Sequence, residues 1–205
     1  MRQLALIACL LLLGSANTPA YAADERDPRT IIEETTTHIL QTLQEQREEF
    51  EANPEKLRTL VREDLLPLID HDYTARLILG RAGRGASEAQ LSAFSDAMSD
   101  VLINRYADGL LEFRSDEQLE VLPLKGDNSD KLTRVRTRIR LENGSYAPVD
   151  YSFRKTEQGW KTFDVTVEGI SYVITFRNQI GPRVEEEGLD KVTADIRAGN
   201  VRIED

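Results

Sequence analysis

The sequence predicts an α+β domain, in which a twisted antiparallel sheet of about four strands packs against N-terminal and C-terminal helices. Apolar residues follow helical spacing from residue 28 to about residue 113, and then alternate with polar residues from residue 119 to residue 167. After residue 168 the helical spacing returns. Helices that precede and follow a block of alternating strands are typical of the α+β class.

Length and charge limit the classes of function. A chain of 205 residues is long enough to bury one large core, and its formal net charge is −10. Proteins that bind nucleic-acid backbones need clustered positive charge and are usually basic. We therefore expect a single globular domain that does not bind nucleic acid.

The N-terminus has the pattern of a secretory signal peptide. Arg2 precedes an apolar run over residues 4–13, and Ala20-Tyr21-Ala22 has the small residues that signal peptidase requires. We expect cleavage after Ala22, so that residues 1–22 are the signal peptide and residues 23–205 are one exported domain. Cys9 is the only cysteine, so the mature domain would contain no disulfide.

The first three predicted helices carry amphipathic patterns. A helix that begins near Pro28 has one mostly apolar stripe, at Ile32, Thr36, Ile39, Leu43, Gln46 and Phe50. Pro54 can begin a second helix, and Pro67 should end or kink it. A third, short helix carries Tyr73, Leu77 and Ile78.

A long helix follows a glycine-rich break. Ser87 and Gln90 have the spacing of a capping box, in which each side chain bonds the other residue's backbone N–H. The helix that they begin has its apolar side at Leu91, Phe94, Met98, Val101, Leu102, Tyr106, Leu110 and Phe113.

The alternating region predicts four strands. Their apolar faces comprise Leu119 and Val121, then Val135, Thr137, Ile139 and Leu141, then Val149, Tyr151 and Phe153, then Phe163, Val165 and Val167. Asn143-Gly144 predicts a type I′ hairpin turn, which needs positive φ at both residues. Beyond the strands, Gly181-Pro182 is expected to interrupt one helix, and Gly188 to separate it from the last.

Groups that usually support catalysis are scarce. The only histidines, His38 and His71, are far apart in the sequence, and neither belongs to a pattern of metal ligands. We expect neither an enzyme nor a metal site.

Arginines are concentrated in two places. Residues 80–85 read Gly-Arg-Ala-Gly-Arg-Gly, which lacks the Lys-Ser/Thr pair of a nucleotide-binding loop but can meet an anionic headgroup or a partner. Arg134, Arg136, Arg138 and Arg140 alternate along one strand and should all project from its polar face. This arginine ladder is either solvated and paired with acids such as Glu120 and Asp150, or a docking surface for a partner.

The segment 160–173 resembles the signature of the MlaC family, also called the toluene-tolerance family of periplasmic phospholipid carriers. It has a Trp, an aromatic residue before Asp164-Val165, then Glu168-Gly169, an aliphatic residue and Ser171. The similarity continues through residues 177–179 and 188–190, and an earlier block at residues 61–67 also matches. The main departure from the family pattern is the Arg/Gly loop at residues 81–85.

The resemblance implies a soluble, periplasmic carrier that maintains the lipid asymmetry of the outer membrane. The sequence leaves the oligomeric state open, and a monomer is the default expectation for a shuttle. It would hold a phospholipid as cargo, with no cofactor, in an apolar pocket between the sheet and the helices. The implied partners are an outer-membrane lipoprotein and porin complex and the substrate-binding ring of an inner-membrane ABC transporter.

Under this hypothesis, apolar positions on the sheet and the facing helices line the pocket. The candidates are Tyr73, Leu77, Ile78, Tyr106, Val135, Ile139, Tyr151, Phe153, Val165, Val167, Ile170 and Val173. Each can equally be ordinary core, because apolar periodicity does not distinguish a cavity wall from a packed interior. We expect Asp164 and Glu168 to cap the following helix and Gly169 to permit the turn before it.

Two other functions are compatible with the residues alone. One is an isomerase or hydratase with Asp164 or Asp150 as a general base inside an apolar cavity, where burial would raise its pKa. The other is a periplasmic interaction module or chaperone that binds a non-lipid partner through the arginine ladder.

Overall fold

The computed structural model describes residues 26–112, 119–124, 128–141 and 143–201. The predicted signal peptide, residues 1–22, lies outside these ranges. None of the helices in the described ranges is both long enough and apolar enough to span a bilayer.

Helices occupy both ends of the described chain. They are α1 (Pro28–Glu45), α2 (Arg47–Ala52), α3 (Pro54–Leu60), α4 (His71–Leu79), α5 (Glu88–Tyr106), α6 (Tyr172–Glu187) and α7 (Leu189–Arg197). A π-helical turn at Val61–Leu65 and a 3₁₀ turn at Leu66–Leu68 connect α3 to α4, and a second 3₁₀ turn, Ala107–Glu112, follows α5. The predicted starts at Pro28 and Pro54 and the capping box of Ser87 and Gln90 are confirmed.

The strands form one antiparallel sheet in sequence order. They are β1 (Leu119–Val121), β2 (Leu132–Arg140), β3 (Tyr146–Thr156), β4 (Gly159–Val167) and β5 (Ile170–Ser171). The predicted α+β class and antiparallel sheet are confirmed. The fifth strand, β5, was missed because two residues are too few to show an alternating pattern.

The type I′ turn was predicted at the wrong hairpin. Gly144 has a φ of +81°, but the register pairs Arg140 with Tyr146, which leaves five residues between the two strands and not the two of a type I′ hairpin. The β4–β5 connection instead has positive φ at both central residues, +51° at Glu168 and +87° at Gly169. The strand register determines the position of this two-residue turn, because Val167 pairs directly with Ile170 and leaves only Glu168 and Gly169 between them.

The predicted interruption at Gly181-Pro182 is also wrong, since α6 continues through both residues. Gly181 is buried and Pro182 is exposed. Pro182 cannot donate a hydrogen bond to the carbonyl of Asn178, another exposed residue, so water can replace the missing donor.

The two faces of the sheet meet different helices. We call the face that carries Val135, Ile139, Tyr151, Phe153 and Val165 the inner face, and the opposite one the outer face. On the inner face, Ile31 and Ile32 of α1 pack in one cluster with Val135 and Phe153.

The α4–α7 helices form a core of their own, which includes Leu79, Phe94, Phe176 and Ile180. It is attached to β4, where Tyr73 of α4 packs edge-on against Phe163 with ring centroids 5.2 Å apart. The inner face is therefore left to α1 and to the turns between α3 and α4.

Candidate functional site

An apolar cavity of about 300 Å³ lies between α1 and the inner face of the sheet. Seven of its lining residues come from α1: Ile31, Ile32, Thr35, Thr36, Ile39, Leu40 and Leu43. These positions recur every three to four residues and so form one face of the helix. The other lining residues are Leu65, Leu68, Ile69, Leu110, Leu119, Ile139, Tyr151, Phe153, Thr162 and Val165.

In the part of the chain that the structure describes, no charged side chain lines this cavity. Its polar groups are the hydroxyls of three threonines and of Tyr151. Burial raises the pKa of the Tyr151 phenol, so this side chain stays neutral at physiological pH. The walls therefore suit an uncharged, apolar occupant.

One side of the cavity is closed by residues 65–69, which we call the wall segment. Leu65, Leu68 and Ile69 of this segment line the cavity. The carbonyl of Pro67 in this segment accepts a hydrogen bond from Lys161 Nζ at 2.6 Å. His71 Nε2 lies 2.9 Å from the Leu66 oxygen, so this histidine has a structural role.

Asp70 fixes the end of the wall segment to the sheet. Its N–H donates to the Thr162 carbonyl at 2.8 Å, and its carboxylate accepts a hydrogen bond from the N–H of Tyr73 at 3.1 Å. The same carboxylate pairs with Arg154, which lies over the Tyr73 ring at 4.4 Å from the ring centroid. Asp70 thus joins the cavity wall, the start of α4 and strands β3 and β4.

Four of the twelve residues predicted to hold lipid line the cavity: Ile139, Tyr151, Phe153 and Val165. Val135 is fully buried beside Phe153 but is packed core, and Val167 lies two residues beyond Val165 on β4. Val135 and Val167 follow the same alternation of apolar and polar residues along their strands as the lining residues do, so the sequence pattern did not separate them from the cavity wall.

Five of the other predicted positions lie away from the cavity. Ile78, Val173 and Leu77 pack in the core of α4–α7, and Tyr73 packs against Phe163. Ile170 is 62% exposed on β5. The side chain of Tyr106 lies outside what the structure describes.

Sequence reasoning missed the contribution of α1 to the cavity. Its apolar stripe was visible at Ile32, Thr36, Ile39 and Leu43, all of which line the cavity. Thr36 within that stripe was the available signal, since a tightly packed helix seam is normally filled by larger apolar side chains.

The carboxylates that a cavity enzyme would need are not in the cavity. Asp164 accepts hydrogen bonds from the Ser171 hydroxyl and the Val173 N–H, so its predicted role in capping the next helix is confirmed. Asp150 lies opposite Arg136 in the strand register. Val135 and Thr137, on either side of Arg136, are buried, so Arg136 and Asp150 belong to the outer face of the sheet. Glu168 is exposed in the turn, and the left-handed conformation expected of Gly169 is confirmed by its φ of +87°.

The arginine ladder lies on the outer face, as its alternation with the buried Val135 and Thr137 requires. Arg138 pairs with Glu120 at 2.6 Å and lies 4.2 Å from the centroid of the Tyr146 ring. Among the described residues there is no group of three or more side chains that could hold a metal ion. His38 instead pairs with Asp64 at 3.0 Å.

Comparison with known proteins agrees with this geometry. The model of the MlaC protein family matches residues 33–198. The chain is 29% identical to the toluene tolerance protein ttg2D of Pseudomonas putida over 194 residues, which cover 93% of this chain and 89% of that protein. It is 26% identical to the intermembrane phospholipid transport system binding protein MlaC of Haemophilus influenzae, over 82% of this chain and 80% of that protein.

A solved structure has the same fold. The phospholipid-binding protein from Ralstonia solanacearum, in complex with a phospholipid, aligns with a TM-score of 0.72 at 23% sequence identity. The alignment covers 83% of this chain and 99% of that one. The resemblance inferred from the motif at residues 160–173 is confirmed by the family match, and the chain belongs to the MlaC family, which is a family of lipid-binding carriers and not of enzymes.

Proposed function

We propose that this chain is a carrier that holds the acyl chains of a phospholipid between α1 and the sheet. The observation that carries the proposal is the cavity of about 300 Å³ with uncharged walls. Family membership and the named phospholipid function of the Haemophilus influenzae relative support it. So does the phospholipid bound to the Ralstonia solanacearum protein.

The shape and lining of the cavity point the same way. Protein interiors normally contain few voids larger than a water molecule. A concave site of about 300 Å³ with apolar walls and a few hydroxyl groups is therefore typical of a binding site for an apolar ligand.

A carrier is physically necessary for such a cargo. Two acyl chains with roughly 30 methylenes would cost more than about 20 kcal/mol to expose to water. Because a bilayer is as apolar as the cavity, the carrier needs only to match the free energy of the lipid in its membrane. Partners would then determine where the lipid enters and leaves.

The cavity lies at the small end of the range of ligand pockets, which is about 300–1,000 Å³. A whole phospholipid needs more room than this, so α1 and the wall segment would move away from the sheet when the cargo enters. We expect the lipid-contacting residues to be Ile139, Tyr151, Phe153 and Val165 together with the α1 face.

The cellular context forms part of the same proposal. Residues 1–22 would be removed on export, and residues 23–205 would act in the periplasm as a monomer that maintains outer-membrane lipid asymmetry. Its partners would be an outer-membrane lipoprotein and porin complex and the substrate-binding ring of an inner-membrane ABC transporter. The arginine ladder is one candidate docking surface for them.

The direct test is native mass spectrometry of the protein, expressed with its own leader and purified without detergent. We expect a phospholipid adduct of one lipid per chain that dissociates to the bare polypeptide on activation. Lipid extraction and fragmentation would then identify the headgroup. Bare protein both before and after incubation with phospholipid vesicles would refute the carrier and favour an interaction module.

A further inference from the structure

A second concave site lies apart from the lipid cavity, in a cleft between the α4–α5 loop and α6. Its volume is about 560 Å³, and it shares no lining residue with the lipid cavity. Four arginines line it: Arg76 at the end of α4, Arg81 and Arg84 in the loop, and Arg177 on α6. We call it the arginine cleft.

The cleft is positive on a chain whose formal net charge is −10. Glu185 is the one carboxylate among the described residues that line it. Arg76, Arg81 and Arg84 form no ion pair with a carboxylate in the described ranges. Their charge is therefore left for an anion from outside the chain.

Local structure holds the cleft in shape. Arg177 Nε donates to the Leu77 carbonyl at 2.6 Å, which fixes the guanidinium of α6 against the end of α4. Gly80, with a φ of +53°, turns the chain directly beside this side chain, since an added Cβ would lie 3.5 Å from Arg177 Cδ. The loop glycines thus bring arginines from separate elements together.

An apolar surface continues from the cleft along the same side of α6. Ile174 is 55% exposed and lies three and four residues before Arg177 and Asn178, both of which line the cleft. Residues at these spacings are neighbours on a helix surface. Ile170, just before α6, is 62% exposed.

We propose that the arginine cleft and these two isoleucines form a docking surface for an anionic bilayer. The guanidiniums would bind lipid phosphates, which they match in geometry, and Ile170 and Ile174 would enter between the headgroups. Clustered positive charge beside exposed aliphatic side chains is the combination that peripheral membrane contact requires. The inference rests on the proposed carrier function, because a carrier exchanges its cargo with partners that lie in a membrane, and contact with the bilayer would hold it beside them.

Vesicle co-sedimentation tests the proposal with the purified chain. Wild type should bind vesicles that contain phosphatidylglycerol and not vesicles of phosphatidylcholine alone, and raising the salt from about 0.05 M to about 0.5 M should release it. Arg81→Glu with Arg84→Glu should lower the bound fraction about tenfold, since each basic residue contributes separately near an anionic surface. Ile174→Ser should weaken binding without removing its salt dependence.

Arg134→Glu with Arg140→Glu is the matched control, because it makes the same change in net charge on the outer face of the sheet. Full binding by this control, with loss in the cleft variant, supports the proposal. Equal loss of binding in both variants would overturn the proposal. Wild-type protein that binds soluble polyglutamate but not phosphatidylglycerol vesicles would also overturn it, and would indicate that the partner of the cleft is an acidic protein.

The native mass spectrum of the same samples separates the two hypotheses. A chain that carries phospholipid but does not bind anionic vesicles refutes the docking surface alone. A chain without cargo refutes the carrier, whatever its behaviour with vesicles.

Discussion

The carboxylate of Asp164 on β4 accepts a hydrogen bond from the Val173 N–H in the first turn of α6, at 3.1 Å. Its other oxygen accepts from the Ser171 hydroxyl at 2.6 Å, and the Ser171 oxygen accepts from the Ile174 N–H at 3.1 Å. Backbone N–H groups in a first turn have no partner within their own helix. Asp164 therefore fixes the start of α6 to a strand that also carries the cavity-lining Val165.

Replacement of Asp164 should weaken this attachment. Asp164→Ala leaves the Val173 N–H without its acceptor and should lower the free energy of unfolding by about 1–2 kcal/mol. Asp164→Asn keeps one acceptor oxygen and should cost less. Urea unfolding of the three proteins measures the order, and an alanine variant as stable as wild type would show that water replaces the cap at no cost.

A bulky side chain in the cavity should compete with the cargo. Val165→Trp places an indole in the cavity, whose volume of about 300 Å³ has room for the larger side chain, so the melting temperature should change little. The retained phospholipid should fall by about tenfold, which corresponds to about 1.4 kcal/mol of binding free energy. Lipid extracted per mole of purified protein is the measurement.

Val167→Trp is the matched control for this variant. Val167 lies on the same strand and the same side as Val165 and is half-buried, but it does not line the cavity. Its lipid content should stay at the wild-type level. If both tryptophans reduced the lipid equally, the acyl chains would extend beyond the cavity along β4.

Alternation along the strands was enough to predict the sheet, but it could not locate the cavity within it. Val135 and Ile139 lie four residues apart on β2 and follow the same pattern of apolar and polar neighbours. Val135 is 0% exposed in packed core, whereas Ile139 lines the cavity. The difference depends on which part of the inner face of the sheet α1 leaves uncovered, and the sequence of β2 alone does not specify this.

Turns show a similar limit. Asn143-Gly144 has the stronger local preference for a type I′ turn, yet Glu168-Gly169 adopts positive φ at both positions. Strand register and the Asp164 cap determine where β4 must reverse, so a glutamate is held in a conformation that it rarely adopts. The family motif, which contains Glu168-Gly169, predicted the place of this turn better than local preference did.

The pH dependence of stability should include a contribution from the junction of α6 and α7. Arg183 donates two hydrogen bonds to the Glu187 carboxylate, at 2.8 and 3.3 Å, and Lys191 donates another. These bonds, chiefly those from Arg183, lower the pKa of Glu187 to about 2. The pKa of Glu187 in the folded protein lies below its value of about 4.3 in the unfolded chain. Its contribution to the free energy of unfolding is therefore fully present above the unfolded pKa, and is lost as the pH falls towards 2.

Glu187→Gln should therefore be less stable than wild type at neutral pH, and the difference should shrink between about pH 5 and pH 2. Urea unfolding at a series of pH values measures it. The exposed neighbour Glu186 supplies the control, since Glu186→Gln makes the same change in charge outside these hydrogen bonds. A Glu187→Gln deficit that is constant over this pH range would contradict the assigned interaction.

The wall segment should control how long the cargo is held, through the pair of Asp70 and Arg154. Their side chains are 13% and 35% exposed, so the pair is largely shielded from water. Asp70→Ala removes both the ion pair and the cap of α4, and should lower the free energy of unfolding by about 2 kcal/mol.

Asp70→Asn separates the two roles, because asparagine is also a good N-cap but carries no charge. It should retain most of the stability and still release lipid to acceptor vesicles several-fold faster than wild type, since Leu68 and Ile69 lose their anchor to β3. The rate of transfer of a fluorescent phospholipid measures the effect. If transfer by Asp70→Asn matched wild type while Asp70→Ala only lost stability, the pair would hold the fold together without gating the cavity, and lipid would have to leave past α1 instead.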